Sequence, residues 1–216
     1  GFPLCRGNIM AGNTALALSV DEWRGKFESW IERGDPQSLL QANVFFDLRP
    51  LWGDAALAES LRTDVLARAA ANERFLKQLA HNAMAVEPPL NWLGNLSATD
   101  DVDGRRVIDL KRFGVRPFVD AARVLALAHN CPATSTVERL GKLAAAGKLQ
   151  RREVAEWSDA FSFVQGLRMR TQERSRIASA PNAVAIDELS PMDARILKEC
   201  FRQARKLQQR LAVDYP

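Results

Sequence analysis

Apolar residues recur at helical spacing along most of this 216-residue chain, and prolines and glycines separate the helical segments. The clearest segment follows Ser190-Pro191, a pair that favours a helix start. Its apolar stripe has near-heptad spacing and needs a packed neighbour; it consists of Leu197, Cys200, Ala204, Leu207 and Leu211. Other helices are predicted after the Ser19–Glu22 capping box, from 54 to the prolines at 88–89, over 117–129, after 134–136, and over 153–177. We therefore predict a mainly α fold, with a helical bundle from residue 54 onward.

One short run departs from the helical pattern. Residues 42–48 contain a valine and two phenylalanines, and we predict a strand, Ala42–Leu48, which Pro50 ends. The strand would place Asp47 and Arg49 on one face, among aromatic side chains. A buried ionised group needs an ion pair, a metal or a ligand, so Asp47 is a candidate active-site residue, with pairing to Arg49 as the alternative.

A single strand cannot form a sheet by itself, and this suggests two domains. We predict that residues 1–53 are the short α/β remnant of one domain and that residues 54–216 form a separate helical domain. The chain opens in Gly- and Pro-rich sequence, Gly1-Phe2-Pro3-Leu4, which predicts a fragment of a longer protein.

Composition restricts the class of partner. The formal charge of +4 weakly favours anionic small molecules or phosphate and disfavours a nucleic-acid partner. No apolar run approaches the ~20 residues of a membrane span, so no membrane partner is expected. The 3 cysteines are far apart in sequence, which predicts free thiols and a cytoplasmic protein.

The aspartates within residues 100–104 have a spacing that also occurs in metal-binding carboxylate pairs. Asp101 and Asp103 have DxD spacing, but they lie in a polar run beside Gly104, where aspartate favours a turn. We predict a hairpin turn at Asp103-Gly104 and no metal pair.

Several polar residues flank the apolar stripes of the predicted helices. They are Lys111, Asp120, Arg123, Thr136, Arg139, Arg168 and Gln172. Together they could line a basic groove for a phosphate-bearing or acidic ligand. The alternative is that each is a solvated charge or part of an intrahelical pair.

The order of these motifs resembles a family of bacterial signal-transduction proteins, which typically carry cyclic-nucleotide-binding and CBS domains upstream of a nucleotidyltransferase domain. Residues 1–11 are similar to a late segment of that catalytic domain, and 44–49 with Gly53 are similar to its final strand. Four further groups of residues are similar to the family's helical substrate-binding domain. They are Asp109-Leu110-Lys111, Pro117–Asp120 with Arg123, Thr136 with Glu138-Arg139-Leu140, and Leu167-Arg168 with Gln172. Relatives include the protein-PII uridylyltransferases and the glutamine-synthetase adenylyltransferases.

The resemblance implies transfer of a nucleotide from a nucleoside triphosphate, with Mg²⁺, to a protein such as a PII-like protein or to a small molecule. It implies that Asp47 is the third metal-binding acid, that Arg49 supports it or contacts phosphate, and that the seven polar residues bind substrate or nucleotide. The first two metal-binding acids are expected upstream of Gly1, beside the regulatory domains. The chain alone is therefore expected to be inactive and to hold no cofactor.

A second hypothesis belongs to another class. The chain would be a helical module that binds a partner protein or forms a homodimer, with no catalytic role. This hypothesis predicts that the Leu197–Leu211 stripe is partly exposed in the monomer.

Overall fold

The computed structural model describes residues 8–10, 12–174 and 180–216. Most of the 1–11 motif, and the last residues of the helix predicted over 153–177, lie outside the described residues. Within the described ranges there are eight α-helices and a three-stranded sheet, so the mainly α class is confirmed. The chain divides into two compact units, Gly1–Phe75 and Leu76–Pro216. This division lies about 20 residues beyond the predicted domain boundary at 53–54. The compact units do not test where one family domain ends and the next begins, so the boundary at 53–54 stays a prediction.

The first unit contains α1 (Val20–Arg33), α2 (Pro36–Phe45), α3 (Ala55–Ala71) and the start of α4 (Glu73–Met84). The predicted capping box is confirmed: Ser19 N–H donates to Glu22 Oε2 at 2.7 Å, and Glu22 N–H donates to Ser19 Oγ at 3.3 Å. The single helix predicted from 54 to 88 is two helices, because Asn72 interrupts it. Asn72 Oδ1 accepts a hydrogen bond of 2.9 Å from Phe75 N–H and begins α4.

The predicted strand Ala42–Leu48 is wrong, since its first residues belong to α2. Asp35 and Pro36 start that helix: Asp35 Oδ1 accepts hydrogen bonds of 3.0 Å from the N–H groups of Gln37 and Ser38. Asp47 lies in the turn after α2 and is half-buried, and Arg49 is exposed. No strand is present in the described part of the first unit.

The phenylalanines that suggested a strand belong to an aromatic core. The ring of Phe46 lies 5.7 Å from that of Phe27 and 5.9 Å from that of Phe75, and Trp30 stacks on Phe45 at 5.6 Å. Paired rings at these distances add stability beyond their buried area. The aromatic residues at 45–46 therefore serve helix packing in the first unit.

The second unit contains the rest of α4 and, within the described ranges, four further helices: α5 (Arg116–Ala128), α6 (Thr136–Ala145), α7 (Arg151–Arg174) and α8 (Pro191–Asp214). Its antiparallel sheet has the order β1 (Asp100–Val102), β2 (Arg105–Asp109), β3 (Ala183–Ala185). The hairpin predicted at Asp103-Gly104 is confirmed, and both residues have the positive φ of a tight two-residue turn. The third strand was not predicted.

The apolar stripe of α8 is fully buried within the second unit. Helix α8 packs against α5 and α7, which are the neighbours that its near-heptad spacing requires. The interaction-module hypothesis predicted a partly exposed stripe, and that prediction is wrong.

Two further predictions concern the cysteines and the membrane. Cys131 and Cys200 are free and buried, as predicted, and Cys5 lies outside the described residues. Burial raises the pKa of the Cys200 thiol to about 12. The cytoplasmic location stays a prediction. In the described ranges no helix has both the length and the apolarity to cross a membrane.

Candidate anion-binding cleft

A cleft of about 400 Å³ lies in the second unit where the end of β2, the start of α5 and the later part of α7 come together. Between β2 and α5 the chain forms a π-helical segment, Leu110–Val115. The cleft is lined by Asp109, Lys111, Arg112, Val115, Arg116, Val119 and Arg168. Four cationic side chains and one carboxylate therefore surround a partly apolar floor, which is the composition expected for an anionic ligand.

The local sequence explains how β2 leads into the cleft. Asp109 ends the strand, and its Oδ1 accepts a hydrogen bond of 2.9 Å from Arg112 N–H, which caps the π-helical segment. Lys111 and Arg112 follow directly and are exposed. The Arg112 guanidinium lies 5.0 Å from the ring centre of Phe113.

The π-helical segment lies very close to α7 at Gly114. A Cβ atom at position 114 would be 2.6 Å from Val164 Cγ1, a distance that side chains do not tolerate. Glycine at 114 therefore permits the approach that brings Lys111 and Arg168 to one cleft.

Arg168 is oriented by neutral oxygens. Its Nε donates to Asn182 Oδ1 and its Nη1 donates to Gln165 Oε1, both at 2.9 Å. Gln172 Nε2 also donates to Asn182 Oδ1, at 3.0 Å. The predicted pair Arg168 and Gln172 is thus brought together by Asn182, although Gln172 does not line the cleft.

Asp120 links two arginines of α5. Its Oδ2 accepts from Arg116 Nε and its Oδ1 accepts from Arg123 Nη1, each at 2.9 Å. Arg123 is buried and Arg116 reaches the cleft. The intrahelical alternative is confirmed for Asp120 and Arg123, and a role of these two side chains in binding substrate stays a prediction.

Thr136 and Arg139 lie at the start of α6, outside the set of residues that line the cleft. Both are buried, and Arg139 Nε donates to the Ala133 carbonyl oxygen at 2.9 Å. This contact holds the loop before α6, which is a structural role; a binding role for either residue stays a prediction.

Asp47 and Arg49 belong to the first unit, in the turn and extended segment after α2. In the described ranges no three His, Cys, Asp or Glu side chains are grouped closely enough to hold a metal ion. A magnesium site that includes Asp47 would need further ligands from a bound phosphate or from residues outside the described ranges, and it stays a prediction.

Sequence reasoning missed four residues around the cleft: Arg112, Arg116, Gln165 and Asn182. Arg112 and Arg116 are four residues apart and continue the basic run that begins at Lys111, and this spacing was a usable signal. Asn182 follows Pro181 in a stretch with no helical or strand pattern. Its hydrogen bonds to α7 depend on tertiary structure, so no local pattern indicated them.

The comparisons with known proteins agree with this fold. A family described as "Putative nucleotidyltransferase substrate binding domain" matches residues 73–215, and a second family, described as "Putative nucleotidyltransferase DUF294", matches residues 1–37. The first match covers well over half of the chain, and the chain belongs to that family of substrate-binding domains. The resemblance of the sequence to a nucleotidyltransferase substrate-binding domain is thereby confirmed. No curated protein and no solved structure shows significant similarity to the chain.

Proposed function

We propose that the second unit binds the phosphate-bearing or otherwise anionic part of a nucleotidyltransferase substrate in the cleft between β2, α5 and α7. One observation carries the proposal: Lys111 and Arg168 border the cleft, and within the described ranges neither forms a salt bridge. A charge that no carboxylate neutralises keeps its full attraction for an anion. The apolar Val115 and Val119 provide a surface for the non-ionic part of the ligand.

The wider proposal follows from the family. In the complete protein this chain would support nucleotidyl transfer from a nucleoside triphosphate, with Mg²⁺, to a protein or small-molecule acceptor such as a PII-like protein. The reaction would serve signal transduction in the cytoplasm, under control of upstream regulatory domains. The match of residues 1–37 to a nucleotidyltransferase family supports this proposal, and so does the match of 73–215 to a substrate-binding domain.

Replacement of Arg168 and of Lys111, one at a time, tests the cleft. We expect Arg168→Gln and Lys111→Gln each to weaken binding of inorganic tripolyphosphate by roughly tenfold or more, because each removes a charge-assisted hydrogen bond. Isothermal titration calorimetry on the whole chain measures the change.

Arg170→Gln is the matched control for the cleft. Arg170 lies on the same helix, is exposed and faces Asp193 at 3.4 Å, and it does not line the cleft. Its replacement should leave the affinity nearly unchanged. Equal affinities for Arg168→Gln, Arg170→Gln and the wild type would contradict the proposal.

Asp47 is proposed as a metal-binding acid only together with carboxylates from outside the described residues. Its place in a turn removes the strand argument, so the assignment rests on the family resemblance. In a protein that includes a nucleotidyltransferase domain, we expect Asp47→Asn to abolish Mg²⁺-dependent nucleotide incorporation, because a metal ligand is lost. Asp54→Asn is the surface control and should leave nucleotide incorporation unchanged. If Asp47→Asn incorporates nucleotide as well as Asp54→Asn does, Asp47 is not a metal ligand.

A further inference from the structure

Asn182 connects three elements around the cleft. Its side-chain Oδ1 accepts from Arg168 Nε at 2.9 Å and from Gln172 Nε2 at 3.0 Å, and both donors lie on α7. Its backbone carbonyl accepts from Leu110 N–H at 3.0 Å, at the first residue of the π-helical segment. Asn182 itself directly precedes β3. A single residue therefore fixes the position of Arg168 relative to the segment that carries Lys111.

Arg168 differs from the other arginines of this region in its partners. Arg116 and Arg123 both contact Asp120, Arg105 contacts Glu188, and Arg170 faces Asp193. Among the described residues, Arg168 is held by amide oxygens only, from Asn182 and Gln165. An aspartate at 182 would offer an acceptor of the same shape to the same donors, but its charge would neutralise the guanidinium. The amide thus supplies orientation without neutralisation.

One edge of the guanidinium stays available. Nε and Nη1 donate to the two amides, and Arg168 Nη2 donates to no described residue. Because two of the three nitrogens are fixed, little side-chain entropy is lost when a ligand binds the third. Arg168 is also one of the residues that line the cleft.

We propose that Asn182 is a specificity-determining positioning residue: its neutral amide orients Arg168 at the cleft and leaves the positive charge of Arg168 free to select an anionic ligand. This inference rests on the proposed function, since it assigns the charge selectivity of the same cleft. In Asn182→Asp, the new carboxylate forms an ion pair with Arg168. The cleft then loses its selectivity for an anionic ligand while the fold is kept.

The positioning is tested first without any ligand. The Arg168 Nε–H resonance is followed by NMR, together with its rate of exchange with water. In Asn182→Ala the acceptor is lost, and we expect the Nε proton to exchange roughly tenfold faster or more. In Asn182→Asp the proton should stay protected, because a carboxylate oxygen accepts it. Unchanged exchange in Asn182→Ala would overturn the positioning role.

The selectivity is tested by calorimetry with inorganic tripolyphosphate. We expect Asn182→Asp to weaken binding about as strongly as Arg168→Gln, by roughly tenfold or more, and Asn182→Ala to weaken it less. In the Arg168→Gln background, Asn182→Asp should add little, because the charge that it neutralises is already gone. Asn82→Asp is the charge control, since it adds the same charge on α4 at a half-buried residue outside the cleft.

The outcomes are separable. If Asn182→Asp binds as well as Asn82→Asp, the selectivity role is wrong even when the cleft binds phosphate. If the wild type does not bind tripolyphosphate, the proposed function fails, and the exchange of the Arg168 Nε proton still decides whether Asn182 positions the arginine. Thermal unfolding of each variant verifies that the backbone contact from Asn182 to Leu110 still supports the fold.

Discussion

Asp120→Ala is expected to lower the free energy of unfolding of the second unit by about 3–5 kcal/mol, because it breaks the largely buried ion pair between Asp120 and Arg123. The side chain of Asp120 is 12% exposed and that of Arg123 is 8% exposed, so water cannot replace the lost partner. Removal of one member of a buried ion pair is among the most costly changes in a protein interior. Urea unfolding of the variant and the wild type measures the difference.

Two companion variants separate this effect from general damage to α5. Glu138→Ala removes a carboxylate from an exposed (i, i+4) pair with Lys142, and it should cost only about 0.5 kcal/mol. The double replacement Asp120→Leu with Arg123→Met removes both charges and should recover much of the stability lost in Asp120→Ala. A loss in Asp120→Ala no larger than that in Glu138→Ala would contradict the buried-pair interpretation.

Gly114→Ala is expected to destabilise the second unit by about 1–3 kcal/mol, because the new methyl group overlaps a packed side chain. The added Cβ would lie 2.6 Å from Val164 Cγ1 and 3.6 Å from Phe201 Cε1, and Val164 and Phe201 are fully buried. The helices must separate or the π-helical segment must shift. Since that segment carries Lys111, we also expect weaker binding of tripolyphosphate. Thermal unfolding and calorimetry measure the two effects.

Gly141→Ala is the matched control for this overlap. Gly141 lies inside α6, and a Cβ there meets nothing within 4 Å. Alanine should therefore stabilise the helix by about 0.5–1 kcal/mol, the ordinary gain over glycine. When Val164→Ala is added to Gly114→Ala, the overlapping methyl groups of the valine are removed. The double variant should therefore recover part of the stability lost in Gly114→Ala. Similar effects at positions 114 and 141 would show that packing at 114 is not tight.

Much of the helical fold was predictable, because its signals are local. Ser19 with Glu22, and Ser190 with Pro191, start helices where the sequence placed them, and the α8 stripe is buried as its spacing required. The error at 42–48 arose where two local signals competed. The valine and phenylalanines favoured a strand, but Asp35-Pro36 had already started a helix, and Leu39, Ala42 and Phe46 are buried at helical spacing.

The candidate site was predictable in part. Lys111 and Arg168 were named from the sequence, and the structure brings both to one cleft. Thr136 and Arg139 were grouped with them, although their place beside α6 is set by tertiary packing. Asn182 and β3 have no periodic signal, since the strand is only three residues long. The cleft brings together residues as far apart in sequence as Asp109 and Arg168. Such long-range contacts cannot be predicted from the spacing of residues along the chain.

The burial of the α8 stripe affects the order in which the second unit can form during synthesis. Helices α5 and α7 are made first, and the side chains that cover their shared apolar surface belong to α8, the last helix of the unit. A chain still emerging from the ribosome therefore exposes that surface until α8 has left the exit tunnel. Closure of the core, and with it the final geometry of the cleft, is coupled to completion of translation of this unit.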